Sequence, residues 1–317
     1  MARHLITGGA GFIGVNLVAR LLAEGHSVCV VDDLSQAAVG AGAMFESDPR
    51  IDFVKIDCAD EAALDAAFSN FGGIDEVWHL AANSDIPAGV ANPRVDLHRT
   101  FMTTFSLLGV MRKRGVGVLH FASSSAIYGD FGDVEIHEAI GPCEPISNYG
   151  AMKLASEAQI RAAHEDWLAR ANVFRFPNVI GVPATHGVIF DFCRKLAKTP
   201  HQLVVLGDGS QQKCYLHVAD LIDAMLHIRR LEGAHTVFNI GPGDSGVTVR
   251  EIAEAVRNVV SPRAEIVYGA EKRGWVGDVP RFQYSIARLV GTGWTPSMSS
   301  SQAVDKAVRQ IAAQGPD

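Results

Sequence analysis

No run in this sequence stays apolar for the roughly 18 residues that a membrane-spanning helix needs, so no transmembrane segment is expected. The first residues, "MARHLITGG", enter a strand-like pattern at once and leave no room for a secretory leader, which points to a cytoplasmic protein. Positive charge is in short supply: 28 Lys and Arg stand against 35 Asp and Glu, a formal net charge of −7. That balance argues against a nucleic-acid groove or an anionic membrane surface as the main partner. Cysteine is sparse and scattered. Cys29, Cys58, Cys143, Cys193 and Cys214 form no Cys-x-x-Cys pair, and the 12 histidines form no His-x-x-x-His pair. Reduced structural thiols and no metal site are therefore expected.

What the chain does have is alternation. Strand-like runs at 4–7, 27–32, 51–57, 76–82, 118–124 and 171–176 are separated by helical patterns. Phe12, Val15, Val18, Leu21 and Leu22 recur at helical spacing after the first strand, and 93–113 and 149–170 read as long amphipathic helices. Such alternation implies an α/β fold with a parallel sheet and crossover helices. Further on, a helix is expected over 187–198, a strand over 236–241, and helices in "TVREIAEAVRNVV" and "SSSQAVDKAVRQIA".

The turn after the first strand, "LITGGAGFIG", sets Gly9, Gly11 and Gly14 in a G-x-G-x-x-G pattern, with Gly8 adding G-x-x-G-x-x-G. Glycines between a strand and a helix let the backbone turn tightly and approach a pyrophosphate seated on the helix N-terminus. The second strand ends at Asp32, eighteen residues past Gly14, where a carboxylate can accept hydrogen bonds from an adenosine ribose. A 2′-phosphate about 4 Å from that carboxylate would cost roughly 4 kcal/mol at an effective dielectric near 20, so NAD is favoured over NADP. Asp57, ending the third strand, either meets the adenine or closes a turn. Ala81 and Ala82, ending the fourth, are small enough to let the coenzyme pass. Residues 1–176 are accordingly expected to form a Rossmann-type, doubly wound NAD-binding domain to which 214–243 returns. Residues 177–213 and 244–317 would form a smaller, interleaved substrate domain.

Tyr149 and Lys153 stand four residues apart on one face of the helix expected at 149–170. An ammonium near a phenol favours the phenolate, and moving a tyrosine from about 10 toward 7 takes roughly 4 kcal/mol of differential stabilisation. The result would be a base able to take a hydroxyl proton while a hydride leaves the same carbon. Together with "DDLS", "HLAA", "SSSAIYG", "YGAMK", "RFPNVIG", "GDGSQQK", "RGWVGD" and the "GW.P" set of Gly293, Trp294 and Pro296, these motifs span nearly the whole chain. The chain resembles the extended short-chain dehydrogenase/reductases of the nucleotide-sugar epimerase/dehydratase type.

That resemblance implies Tyr149 as catalytic base, with Lys153 on the nicotinamide ribose and lowering the tyrosine pKa. Counting back from Tyr128 and Gly129 makes Ser124 the third member, which would hydrogen-bond the reacting hydroxyl. Ser123 and Ser125 would then be packing or capping groups. The resemblance also implies coenzyme contacts at Phe12, Ile13, Asp33, Cys58 and Leu80. Substrate contacts are implied at Ser84, Ser125, Asn178, Val188, Lys213, Arg273 and Asp278. His186 either lines the sugar pocket or lies in an exposed loop. Two residues depart from the family pattern: Lys213 where relatives have Arg, and Thr100 where they have a helix asparagine. Phe282 falls near a position that would disfavour N-acetyl sugars.

Dehydrating relatives carry an acidic pair directly after the catalytic Ser/Thr, and decarboxylating ones keep a Glu. Here those positions are Ser125 and Ala126, neither of which can protonate a leaving hydroxyl. The implied reaction is thus epimerisation of a UDP-hexose or UDP-hexuronate at carbon 4. Its rivals are a reductase with net coenzyme consumption and a non-catalytic NAD-binding regulator. The resemblance further implies a homodimer formed by pairing of the 93–113 and 149–170 helices.

Overall fold

The computed structural model describes residues 2–132, 134–271 and 284–315. Arg273, Asp278 and Phe282 lie outside the described residues. The chain divides into two compact units: 1–129, 141–175 and 225–238 form the first, and 130–140, 176–224 and 239–317 the second. Relative to the sequence-derived boundaries, 130–140, 176, 214–224 and 239–243 group with the second unit. Helix Val218–Arg230 carries the chain from the second unit back into the first.

The first unit is built on strands β1 (Arg3–Thr7), β2 (Ser27–Asp32), β3 (Ile51–Lys55), β4 (Glu76–His79), β5 (Val118–Ala122) and β6 (Arg170–Arg175). With His235–Asn239 they make a seven-stranded sheet in the order His235–Asn239, β6, β5, β4, β1, β2, β3. The pairings from β3 across to β6 are all parallel. The order reverses between β1 and β4, the switch point at which open α/β sheets leave a crevice beyond the strand ends. Helices α1 (Phe12–Ala23), α2 (Ala41–Ser47), α3 (Glu61–Phe71), α4 (Ile86–Ala91), α5 (Pro93–Asp96), α6 (Thr103–Arg114) and α7 (Asn148–Asp166) make the crossovers. Leu5, Val31, Val77, Leu119, Phe121 and Val173 from the strands pack with Leu64, Phe68, Leu107, Met111 and Ile160 from α3, α6 and α7.

The helix expected as one piece over 93–113 is interrupted by a wider, π-helical turn at Leu97–Met102. Side chains compete with the backbone there: Thr103 and Thr104 donate to the Thr100 carbonyl at 3.1 and 3.2 Å. The Thr100 hydroxyl in turn accepts the Asn83 N–H at 3.1 Å, so threonine ties the chain after β4 to this turn. The helix expected to reach 170 ends at Asp166, because Arg170 is recruited as the first residue of β6, opposite Val118.

In the second unit, helices Val188–Lys198, Val249–Val260 and Ser300–Gln314 enclose a separate core that includes Phe190, Leu196, Leu203, Ile252, Val256 and Val308. Thr248 with Glu251, and Ser299 with Gln302, form capping boxes that set the starts of the last two helices. Short strand pairs join Asn178–Ile180 to Tyr215–His217, Gln202–Val205 to Glu265–Tyr268, and Gln212–Lys213 to Val247–Thr248. No helix among the described residues is long and apolar enough to cross a membrane.

Candidate active site

The glycine turn runs from β1 directly into α1. Gly8 adopts φ +70 and donates its N–H to the Val31 carbonyl at 2.9 Å. A Cβ on it would come within 2.6 Å of the Ala81 N, so the ends of β1 and β4 meet only because Gly8 has no side chain. A Cβ on Gly14 would fall 2.4 Å from the Gly8 carbonyl oxygen, which explains how α1 starts tight against the turn. Gly11 precedes the helix and supplies no side-chain cap, so the first-turn N–H groups of Phe12, Ile13 and Gly14 remain without side-chain acceptors from the helix cap. A Cβ on Gly11 would meet only the Gly8 carbonyl, at 3.3 Å. An open glycine and an uncapped helix start are what a pyrophosphate requires, and the residues fit a dinucleotide.

Asp32 sits at the end of β2 and is almost fully buried. One carboxylate oxygen accepts from the Ala10 N–H at 3.0 Å and the other from Leu34 at 2.8 Å. Burial nevertheless outweighs those two donors and raises its pKa. The carboxylate is thus docked on the glycine turn itself, and Leu34 accepts the left-handed φ of 64 that this docking requires. Asp33, half-buried beside it, accepts from the Ser35 N–H and hydroxyl at 2.8 and 2.6 Å.

Asp57 closes a turn on the Ala59 N–H at 2.8 Å and pairs with His98 Nε2 at 2.8 Å. Burial acts to raise its pKa, but those partners more than offset it and the net shift is downward. The turn-closing role is therefore present in the structure. Cys58 is buried, and desolvation together with Asp32 and Asp57 raises its thiol pKa, so it is an inert packing group. The Leu80 N–H donates to the Thr7 carbonyl at 3.0 Å, which lines the start of 80–82 along the glycine turn. Ser84 is exposed in the loop that follows.

The candidate catalytic residues gather where β5 ends. Ser124 caps a short 3-10 turn, accepting the Ala126 N–H at 3.1 Å, and is hydrogen-bonded to Tyr149. Gly150 admits the start of α7 to this turn, since a Cβ there would lie 2.3 Å from the Ala126 carbonyl oxygen. Lys153 is 2% exposed, donates to the Ala122 carbonyl at 2.5 Å, and lies 5.9 Å from the Tyr149 ring centre. The structure thus brings Ser124, Tyr149 and Lys153 together.

The expected electrostatics are corrected. Within the polypeptide, burial pushes the Tyr149 phenol up to about 12, against the Ser124 hydrogen bond and with the Asp96 charge adding to the rise. Burial pulls Lys153 down to about 7, with the Glu157 charge opposing. Desolvation exceeds the attraction that the i, i+4 spacing suggested, because both groups leave water together.

Several neighbours escaped the sequence reading. Asp96 is fully buried, held by Asn83 Nδ2 at 2.8 Å, and burial raises its pKa. His79, of the "HLAA" motif, bridges Thr7 and Thr104 at 2.6 and 2.9 Å, and burial lowers its pKa to about 3. Thr104 already donates to the Thr100 carbonyl, so His79 Nε2 carries the proton and its Nδ1 accepts from Thr7. Ser123 is a buried donor to Glu157, which Arg175 also grips. The available signals were a glutamate four residues past Lys153 and an arginine inside the apolar strand "ANVFRF".

Asn178, Val188 and Lys213 belong to the second unit. Asn178 is exposed and pairs with Tyr215, Val188 begins its helix half-buried, and Lys213 lies opposite Val247. His186 is exposed beside Thr185, in agreement with the loop alternative. Ser125, half-buried, opens the 3-10 turn.

The chain is similar to several known proteins. UDP-glucose 4-epimerase of Streptomyces lividans is 32% identical over 96% of this chain and 94% of its own length. A crystal structure of a UDP-galactose 4-epimerase superposes with a TM-score of 0.85 at 33% identity, covering 98% of this chain and 99% of that one. The UDP-glucose 4-epimerase of Thermus thermophilus, solved in complex with NAD, gives 0.85 at 28% identity over 98% of both chains. Residues 4–241 match the model of one family, and the chain belongs to it: the NAD dependent epimerase/dehydratase family.

Proposed function

We propose that this chain interconverts the carbon-4 epimers of a UDP-hexose or UDP-hexuronate, with NAD as coenzyme and a transient 4-keto sugar. The observation that carries the reading is the grouping of Ser124, Tyr149 and Lys153 at the end of β5, followed by Ser125 and Ala126, which bear no carboxyl group. Relatives over most of the chain are 4-epimerases of UDP-glucose and UDP-arabinose, which supports the substrate class.

Gly8, Gly11, Phe12, Ile13 and Gly14 would hold the pyrophosphate. Asp32 and Asp33 would hold the adenosine ribose, Asp57 and Cys58 would face the adenine, and Leu80, Ala81 and Ala82 would flank the coenzyme. When bound, NAD would supply a hydride acceptor whose positive charge in the oxidised form would favour the Tyr149 phenolate. Tyr149 then takes the proton of the 4-hydroxyl as the C–H bond gives up its hydride. Ser124 holds that oxygen, and Lys153 keeps a cation beside the phenolate. After the ketone turns over, Tyr149 returns the proton to the oxygen of the other epimer. Ser84, Ser125, Asn178, Val188 and Lys213 would hold the sugar nucleotide, with Lys213 neutralising phosphate as a point charge.

A homodimer is part of the proposal. Leu97 and Phe105 are each 47% exposed on the π-helical turn and α6, and the Phe105 ring lies 6.3 Å from that of Phe101, an apolar face suited to a second copy.

The test uses purified protein without added coenzyme, incubated with UDP-glucose, UDP-glucuronate and UDP-N-acetylglucosamine and followed by proton NMR. Conversion to the galacto isomer, with NAD released on denaturation, is expected. A 4-keto-6-deoxy product, or turnover only with stoichiometric NADH oxidation, would overturn the reading.

A further inference from the structure

Helix α7 carries a third polar group on the side that bears Tyr149 and Lys153. Glu157, one turn beyond Lys153, is 8% exposed, and a carboxylate so enclosed is costly unless its oxygens are occupied. They are: Arg175 places Nε 3.0 Å from Oε1 and Nη2 2.6 Å from Oε2, and Ser123 Oγ donates to Oε1. Arg175 Nη1 also donates to the Tyr128 hydroxyl at 2.9 Å. One ion pair thus grips both ends of the segment 123–128, in which Ser124 sits. Ala122, whose carbonyl receives the Lys153 ammonium, is the residue just before that segment.

We propose that Glu157 is a positioning residue: gripped by Arg175 and Ser123, it fixes the serine end of β5 against α7 and supplies the negative charge that keeps Lys153 an ammonium. The inference rests on the roles assigned above to Ser124, Tyr149 and Lys153. The groups facing the Lys153 nitrogen leave few other sources of such charge. From β5 come the Ala122 carbonyl and the Phe121 ring, 4.7 Å away; from β4 comes His79, kept neutral by burial; on α7 itself the Tyr149 phenol is also kept neutral. Arg175, on β6, faces Glu157. Burial draws Lys153 down to about 7, and Glu157 is the charged group opposing that fall.

Glu157→Gln keeps the volume and one acceptor but removes the charge. The Lys153 titration is read from the Cε resonance of carbon-13 lysine-labelled protein, with a Lys153→Met variant assigning the signal. The expected result is a midpoint near 7 in the wild type and about tenfold or more weaker proton affinity in Glu157→Gln. The alkaline limb of kcat should move the same way, with KM for UDP-glucose within about twofold. An unchanged Lys153 midpoint in folded Glu157→Gln would overturn the proposal. Should that variant not fold, Ser123→Ala removes a single donor; about a tenfold fall in kcat at constant KM supports the proposal and wild-type kcat defeats it. The NMR readout needs no turnover. Failure to epimerise any UDP-sugar would therefore remove the proposed function while the Lys153 titration still decided this point.

Discussion

His120, in the middle of β5, and Lys153, against the carbonyl at the end of that strand, are both shut away from water, yet their partners differ. The His120 ring lies between Glu76, 2.8 Å from Nε2, and Asn172, 3.0 Å from Nδ1. Asn172 accepts from Thr236 at 2.6 Å, and Arg229 forks onto Glu76 at 2.7 and 2.6 Å. The neutral tautomer with the proton on Nε2 satisfies every one of these contacts. The Trp78 ring stacks on it with centres 4.0 Å apart. Lys153, by contrast, has three protons to donate and one hydrogen bond, to Ala122, among the described residues. Burial with complete partnering gives a fixed, inert polar core. Burial with incomplete partnering leaves an amine poised near neutral pH, and that is where the proposed catalytic set lies.

The sharpest way to break this contrast is at its reactive end. Tyr149→Phe should lower epimerase kcat by about a thousandfold or more while leaving the denaturation midpoint within experimental error. A variant that kept appreciable turnover would remove Tyr149 from its role. At the inert end the effects should exchange. His120→Leu should cost about 2–3 kcal/mol in urea unfolding, since it strips Glu76 and Asn172 of a partner, and should leave kcat per folded molecule unchanged. Lost kcat in a fully folded His120→Leu protein would show the two regions to be coupled.

Acidification tests the inert region without mutation. Burial lowers His79 to about 3 and His4 to about 4, and lowers His120 as well, so the folded chain does not bind protons that the unfolded chain takes up below 6.5. Glu76 adds to this: burial opposes its ionisation, but the hydrogen bonds of His120 and Arg229 more than offset that and hold it well below the usual carboxylate range. In both cases the unfolded state binds more protons, so stability must fall as pH falls. The urea midpoint should decline from about pH 6.5 and drop faster below 4.5, and because the lowered Lys153 pKa has the same sign it should also rise from pH 7 toward 10. A midpoint that rose between pH 7 and 5 would contradict the assigned neutral histidines. The smallest expected effect is at Thr100→Val, which deprives the Asn83 N–H of its acceptor and should cost about 1 kcal/mol, read from the same midpoint.

Much of this was legible without coordinates. Hydrophobic alternation located the strands to within a few residues, because a doubly covered parallel strand must be apolar almost throughout. The glycine turn, Asp32 and the Tyr149–Lys153 spacing were legible for a similar reason: each depends on backbone geometry or on neighbours close in sequence. The π-helical turn at Leu97–Met102 was not, since it depends on Thr100 meeting Asn83, seventeen residues earlier. Nor were Ser123 and Glu157, whose partnership spans 34 residues.

The sequence by itself determined the sheet, the glycine turn and the Tyr149–Lys153 spacing, because periodicity and short spacings are written along the chain. Only the tertiary structure decided how those residues are charged. Desolvation shifts Tyr149 up and Lys153 down, with the Asp96 charge adding to the first and the Glu157 charge opposing the second, and neither burial depth nor a contact across the fold exists until the chain has folded.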